Sequence, residues 1–158
     1  MKLYLVRHAA AVEADEWTNG DDTRPLTPDG KAQARLVADT LAMLHIEPDV
    51  LLTSPLVRTR ETAEIIADRL HLKSRLREEE RLAPGFHLPL LADLLTDYPT
   101  VKALLLVGHE PDFSRVIGEL TSGRVTVKKG GLALVEIPEP TILSGELVWL
   151  APPKLLGK

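Results

Sequence analysis

At 158 residues, 44% of them hydrophobic and 27% charged, the chain is large enough for one globular domain, residues 1–158, with a substantial buried core. Nineteen Lys and Arg against 23 Asp and Glu leave a net charge of −4, and no basic block tracks a polyanionic backbone, so nucleic-acid partners are excluded. Zero cysteines remove disulfides, thiolate metal ligands and cysteine nucleophiles.

The N-terminus runs straight into Lys2-Leu3-Tyr4-Leu5-Val6, too short for a secretory core and without a small-residue cleavage site, and no apolar run reaches membrane-spanning length. The expectation is a cytoplasmic protein with no membrane partner. Asn19 and Gln33 are the only side-chain amides, set against 12 prolines, a composition expected of a thermophilic source.

In chain order, residues 2–7 form the first predicted strand, which opens into a loop at Arg7-His8. Ala34, Val37, Ala38, Leu41 and Leu44 then recur at the helical period behind Thr27-Pro28, a capping residue followed by proline at the first helical position. A strand at 49–53 leads to Ser54-Pro55, a second such start, and to the stripe Ala63, Ile66, Ala67 and Leu70. Leu88, Leu91, Ala92 and Leu95 mark a third helix. A strand at 103–108 precedes Glu110-Pro111, a third proline start, and the stripe Phe113, Val116, Ile117 and Leu120. Strands at 131–137 and 146–150, joined through Pro138-Glu139-Pro140 and Gly145, read as an antiparallel pair at one edge. The first three strands are almost continuously apolar, as strands buried on both faces are. Alternating with helices, they give an α/β fold with a largely parallel sheet.

In open sheets of this kind ligands bind beyond the C-terminal strand ends, where helix N-termini add free amides and a positive dipole end that favour anions. Three strand ends here carry matched groups: Arg7-His8, Arg58 and His109. They are expected to converge on one anion-binding crevice. The set suits phosphoryl chemistry, because an imidazole attacks phosphorus as an uncharged nucleophile and a guanidinium grips phosphate oxygens bidentately at any working pH.

These residues belong to longer stretches: Leu5-Val6-Arg7-His8-Ala9, then Thr23-Arg24-Pro25-Leu26-Thr27-Pro28-Asp29-Gly30, then Ser54-Pro55-Leu56-Val57-Arg58-Thr59-Arg60-Glu61-Thr62-Ala63, then Val107-Gly108-His109. In this order, over roughly two-thirds of the chain, they resemble the histidine phosphatase superfamily, the phosphoglycerate mutase-like fold, and most of all its short SixA-type phosphohistidine phosphatases. The resemblance implies a three-layer α/β/α sandwich with a mostly parallel sheet and an antiparallel edge strand. It implies a metal-independent phosphatase with no organic cofactor, acting on a phosphohistidine-bearing protein or a small phosphorylated substrate.

Carried over position by position, the resemblance makes His8 the nucleophile that is transiently phosphorylated. Arg7 and Arg58 become the clamp on the phosphoryl oxygens, and His109 the second pocket histidine that donates to them. Arg24 is implied to reach the phosphate or its flanking group. Fixed cationic donors would stabilise the charge that gathers on the equatorial oxygens during in-line displacement. His8 would need one unprotonated nitrogen, its other ring nitrogen held by a backbone carbonyl, and the nearby arginines would disfavour the imidazolium.

Two positions depart from the wider family. Ala9 stands where glycine is usual, which restricts any backbone needing positive φ. The general acid is open between Glu80, in the run Glu78-Glu79-Glu80, and Glu110, directly after the second histidine; the alternatives are a solvated run and a helix cap. An imidazole leaving group departs neutral once protonated and needs less help than an alkoxide. The short segment 71–100 also leaves little room for insertions that enclose a small metabolite, so a protein-borne phosphohistidine is the favoured substrate over a small phosphoester. Two other classes compete: a metal-dependent hydrolase using His8, His109, Glu110 and Asp112, and a catalytically silent module that binds phosphorylated side chains. His45 and His71 read as helix C-terminal residues and Arg60 as a surface charge. His87 precedes the third stripe, where larger relatives place substrate contacts.

Overall fold

The N-terminal apolar run becomes the middle of a sheet because each of its side chains finds an apolar layer on one face or the other. A computed structural model describes residues 1–156. Strand β1 (Lys2–Arg7) lies beside β4 (Ala103–Gly108) in parallel and beside β5 (Leu132–Glu136) in antiparallel. Strand β2 (Val50–Thr53) pairs in parallel with β4 and with β3 (Leu76–Glu78), and β6 (Glu146–Ala151) closes the other edge antiparallel to β5. The order is β3-β2-β4-β1-β5-β6.

Alternation along the strands divides the core in two. Leu3 and Leu5 join Leu52, Leu104 and Leu106 under helices α3 (Leu88–Thr96) and α4 (Asp112–Thr121). Tyr4 and Val6 join Leu51, Leu105 and Val107 under α1 (Pro28–Met43) and α2 (Val57–Arg69). The result is the three-layer α/β/α sandwich. Leu3, Leu5, Leu51, Leu52, Leu104 and Leu105 are fully buried, each side chain contributing about 2 kcal/mol relative to exposure. Among the described residues no helix is long and apolar enough to cross a membrane.

Several local expectations are corrected. Among the described residues the sheet has six strands where five are predicted: β3 is three residues of an exposed edge, two of them charged, and carries no readable alternation. Only Thr27-Pro28 starts a helix as expected, with the Thr27 hydroxyl accepting the Gly30 N–H at 3.0 Å. After Ser54 the chain bends at Pro55 and Leu56, Leu56 keeping extended dihedrals as the N-cap, and α2 begins at Val57, with the Thr59 hydroxyl reaching back to the Ser54 and Leu56 carbonyls. Pro111 is the N-cap of α4 rather than its first residue. Leu44, placed on the α1 stripe by periodicity, is 51% exposed as the helix ends there.

Both helix ends use histidine in the backbone. His45 and His71 take φ of 52° and 57°, and Ile46 and Leu72 donate back to the Leu41 and Ala67 carbonyls, closing Schellman turns. That turn geometry turns α1 and α2 back toward β2 and the β3 edge.

Candidate active site

Three parallel strands end side by side, and their C-terminal ends deliver the chemistry. β1 ends on Arg7 and His8; β2 leads through Ser54 to Arg58, the second residue of α2; β4 leads to His109 and Glu110 ahead of α4. A cleft of about 350 Å³ opens there, lined by Arg7, His8, Arg24, Arg58, His109 and Glu110, with Asp21, Glu13 and Lys129 on the rim. Every residue of the expected site except Glu80 thus meets in one place. Glu80 is exposed and lies outside the cleft lining, while its neighbours Glu78 and Glu79 pair with Arg60 and Arg81.

The loop after β1 is held from several directions. His8 N–H donates to the Gly108 carbonyl at 3.0 Å, and the His8 carbonyl accepts from Gly130 N–H at 3.0 Å. Ala9 N–H donates to the Thr62 hydroxyl at 3.2 Å, and Ala10 N–H to Gln33 Oε1 at 3.0 Å. Ala9 is fully buried and does not take positive φ, so alanine in place of glycine introduces no backbone strain. Glycine is required elsewhere: a Cβ on Gly30 would lie 1.8 Å from the Ala10 carbonyl oxygen, and one on Gly108 2.5 Å from the Phe113 ring. These close approaches set α1 against the loop after His8, and α4 against the end of β4 that leads to His109.

His8 Nδ1 lies 2.8 Å from its neighbour's carbonyl, Ala9 O. A carbonyl only accepts, so Nδ1 carries the proton and Nε2 presents a lone pair. Burial first, and then the charges of Arg58, Arg7 and Arg24, hold the imidazole down at about 4, against the Ala9 bond, which acts the other way. His8 therefore stays neutral throughout the physiological range. His109 packs beside it, ring centroids 5.4 Å apart, and its Nε2 lies 2.8 Å from the Ser54 hydroxyl. Burial, with His8 and Arg58 adding, pulls His109 down to about 3.

The arginines surround this pair. Arg7 Nη1 donates to the Val127 carbonyl at 3.0 Å. Arg58 Nη1 donates to the Asp21 carbonyl at 3.0 Å and Nη2 to Asp21 Oδ2 at 3.3 Å; Arg24 Nε takes Asp21 Oδ1 at 2.8 Å, and its Nη1 takes the Val12 carbonyl at 2.8 Å. Burial works against the Asp21 carboxylate, but Arg58 and Arg24 outweigh it and hold its pKa below the ordinary range. Nε of Arg7 and of Arg58 are buried without an acceptor among the described residues. Converging cationic donors with unmet hydrogen-bonding capacity, beside a neutral imidazole, are an arrangement for binding and attacking a phosphoryl group.

Asp21, Thr62 and Ser114 carry no role in the sequence taken residue by residue, and Ser54 only that of a helix cap. Ser54 and Thr62 lie inside a quoted stretch, but their hydrogen bonds to His109 and Ala9 span 55 and 53 residues of sequence and leave no local trace. Asp21 is one acid in an acid-rich loop until the fold brings Arg58 to it. Asp112, named for a metal site, is buried and accepts the Gly85 N–H at 2.8 Å, outside the cleft lining. Among the described residues no three His, Asp or Glu gather as a cation site, so that alternative's four residues do not form a ligand set.

Comparison with known proteins agrees with this geometry. The signature of the histidine phosphatase superfamily (branch 1) matches residues 3–83. The chain is 34% identical over 139 residues to an uncharacterized protein of Picosynechococcus, covering 84% of this chain and 82% of that one. It is 30% identical over 126 residues to the phosphohistidine phosphatase SixA of Escherichia coli, covering 78% and 76%. A solved structure of the protein histidine phosphatase SixA complexed with tungstate superposes with a TM-score of 0.88 at 25% identity, covering 98% of this chain and 99% of that one. With the signature over half its length and the two histidines and two arginines gathered in one cleft, the chain belongs to the histidine phosphatase superfamily.

Proposed function

We propose that the protein hydrolyses phosphohistidine on a protein substrate through a phosphohistidine intermediate on His8. The observation that carries the reading is the His8 tautomer: Nδ1 is tied to Ala9 O and the neutral ring offers Nε2 to a cleft lined by Arg7, Arg24, Arg58 and His109. Nε2 attacks phosphorus, the bond from phosphorus to the leaving nitrogen breaks with its electron pair on that nitrogen, and the leaving imidazole, protonated from solvent on its other ring nitrogen, departs neutral. Water then attacks the phosphorus on His8, its oxygen going to the released phosphate and a proton returning to solvent, and the electron pair of the broken bond returns to Nε2 to restore the neutral imidazole. Arg7 and Arg58 hold the equatorial oxygens throughout. If the Ser54 hydroxyl donates to His109 Nε2, the His109 Nδ1–H is left as a further donor for them. Arginines carry the charge neutralisation, so the proposed reaction draws on no metal or organic cofactor.

The nature of the leaving group follows from the carboxylates. Each of those lining the cleft is already engaged: Asp21 by Arg24 and Arg58, Glu110 by Ser114, and Glu13 by Lys129. A site with no uncommitted acid favours a leaving group that departs without strong proton donation, as imidazole does and an alkoxide does not. Relatives named for phosphohistidine support the same choice. The test is to present the purified protein with phosphohistidine on a carrier protein and with a panel of small phosphomonoesters, and to compare kcat/KM. A decisive preference for phosphohistidine, with acid-labile phosphate trapped on wild type and absent from His8→Ala, is expected. A preference for an alkyl phosphoester would instead make it a small-molecule phosphomonoesterase, and full activity of His8→Ala would remove the mechanism.

A further inference from the structure

A chain of hydrogen bonds leads from outside the cleft to one of its arginines. Ser114, in the first turn of α4, does not line the cleft. Its hydroxyl donates to Glu110 Oε2 at 2.5 Å, and its backbone N–H donates to Glu110 Oε1 at 2.9 Å. The same hydroxyl accepts the Val127 N–H at 3.0 Å. The carbonyl of that residue accepts Arg7 Nη1 at 3.0 Å. Val127 is fully buried in the core with Phe113, Val116 and Ile117, so its amide has no recourse to water.

A serine hydroxyl has one proton to give and can accept from others, and here both capacities are used. The proton goes to Glu110 and a lone pair goes to Val127. Burial lowers the Arg7 guanidinium's affinity for protons, and the charge of Glu110, felt at Arg7, acts the other way without outweighing it. Without the Ser114 hydroxyl, two things change together. The buried Val127 amide loses its acceptor, which loosens the carbonyl that aims Arg7. The Glu110 carboxylate loses one of its two donors and is freed toward the Arg7 guanidinium in the same cleft lining, where it competes with an incoming anion.

We infer that Ser114 is a positioning residue of the phosphate site, acting through Val127 and Glu110 to keep the Arg7 guanidinium aimed and available. This deepens the phosphatase reading above and rests on it. The two can be tested apart, because anion binding requires no turnover. Inorganic phosphate is titrated into wild type, Ser114→Ala, Ser114→Thr, Arg7→Ala and the double variant Ser114→Ala/Arg7→Ala, following the His8 and His109 ring protons by NMR.

Ser114→Ala is expected to weaken phosphate binding by about tenfold, the size of one misdirected charge-assisted hydrogen bond. Ser114→Thr, which keeps the hydroxyl, should restore it. In the Arg7→Ala background the Ser114→Ala change should have no further effect. A purely structural role would lower the melting temperature yet leave phosphate affinity alone, or would cost the same in both backgrounds, and either result overturns the inference. Should Ser114→Ala not fold, Ser114→Cys is read in its place, since a thiol fills the same space with a much weaker hydrogen bond. Failure of wild type to bind phosphate would overturn the phosphatase reading and this inference with it. Equal binding by wild type and Ser114→Ala would overturn this inference alone.

Discussion

Lowering the pH should cost this protein stability through its two buried histidines, and the share of His8 can be isolated in a window that the structure defines. His8 is held at about 4, against an ordinary value of 6.5, chiefly by burial and then by the surrounding arginines. In the unfolded chain the imidazole regains its ordinary value. Between pH 6.5 and 4 the unfolded state therefore binds a proton that the folded state lacks, and stability falls as the pH falls through that range. The gap from 6.5 to about 4, at about 1.4 kcal/mol per pH unit, amounts in full to between about 3 and 4 kcal/mol, of which about 3 kcal/mol is lost by pH 4, where folded His8 is half protonated. The comparison that isolates it is wild type against His8→Asn, which cannot titrate, unfolded in urea at steps from pH 7.5 to 4 and followed by circular dichroism. Phosphate must be kept out of the buffer, because an anion in the cleft would favour the imidazolium. Between the two ends wild type should lose about 3 kcal/mol more than the variant. For an m-value of about 2 kcal/mol/M this is a midpoint difference of about 1.5 M urea. Parallel curves for the two proteins would refute the assignment of a buried, neutral His8, and with it the basis for its nucleophilicity at neutral pH.

Arg58→Ala and Arg7→Ala should each lower kcat at least about a hundredfold, the scale of losing one preorganised donor to a developing oxyanion; losses below about threefold would mean that the phosphate sits elsewhere. Because Glu110 is already held by Ser114, Glu110→Gln should leave the ratio of alkyl-phosphate to phosphohistidine rates unchanged, and Glu80→Gln, outside the cleft, should change neither rate; a selective loss on the alkyl phosphate for Glu110→Gln would make Glu110 a general acid and remove the leaving-group argument. Gly30→Ala should lower stability by about 3 kcal/mol in chemical denaturation and reduce turnover as well, because the new methyl must displace the Ala10 carbonyl, two residues from His8. An unchanged midpoint would show that the α1 start is not set by that contact.

The elements whose signals are local could be read from the order of residues alone. Continuous apolar runs gave β1, β2 and β4 and hence the parallel centre of the sheet, and stripes at the helical period gave the buried faces of α1 to α4. Because the C-terminal ends of parallel strands share one side of the sheet, placing Arg7-His8, Arg58 and His109 after three such strands was enough to bring them to one cleft. Tertiary structure decided what depends on neighbours distant in sequence. β3 exists through its pairing with Leu51–Thr53, since its own three residues show no pattern. The helix after Ser54-Pro55 starts two residues late, at Val57, where the extended Leu56 serves as its N-cap and the Thr59 hydroxyl bonds back across the bend. Asp21 neutralises Arg24 and Arg58, Glu80 falls outside the cleft while Glu110 lines it, and Ser114 reaches Arg7 through Val127. Hydropathy along a chain reports which face is buried, because water is everywhere and burial repeats with the backbone. A hydrogen bond needs a particular donor within about 3 Å of a particular acceptor, and that distance is set only when separate elements pack.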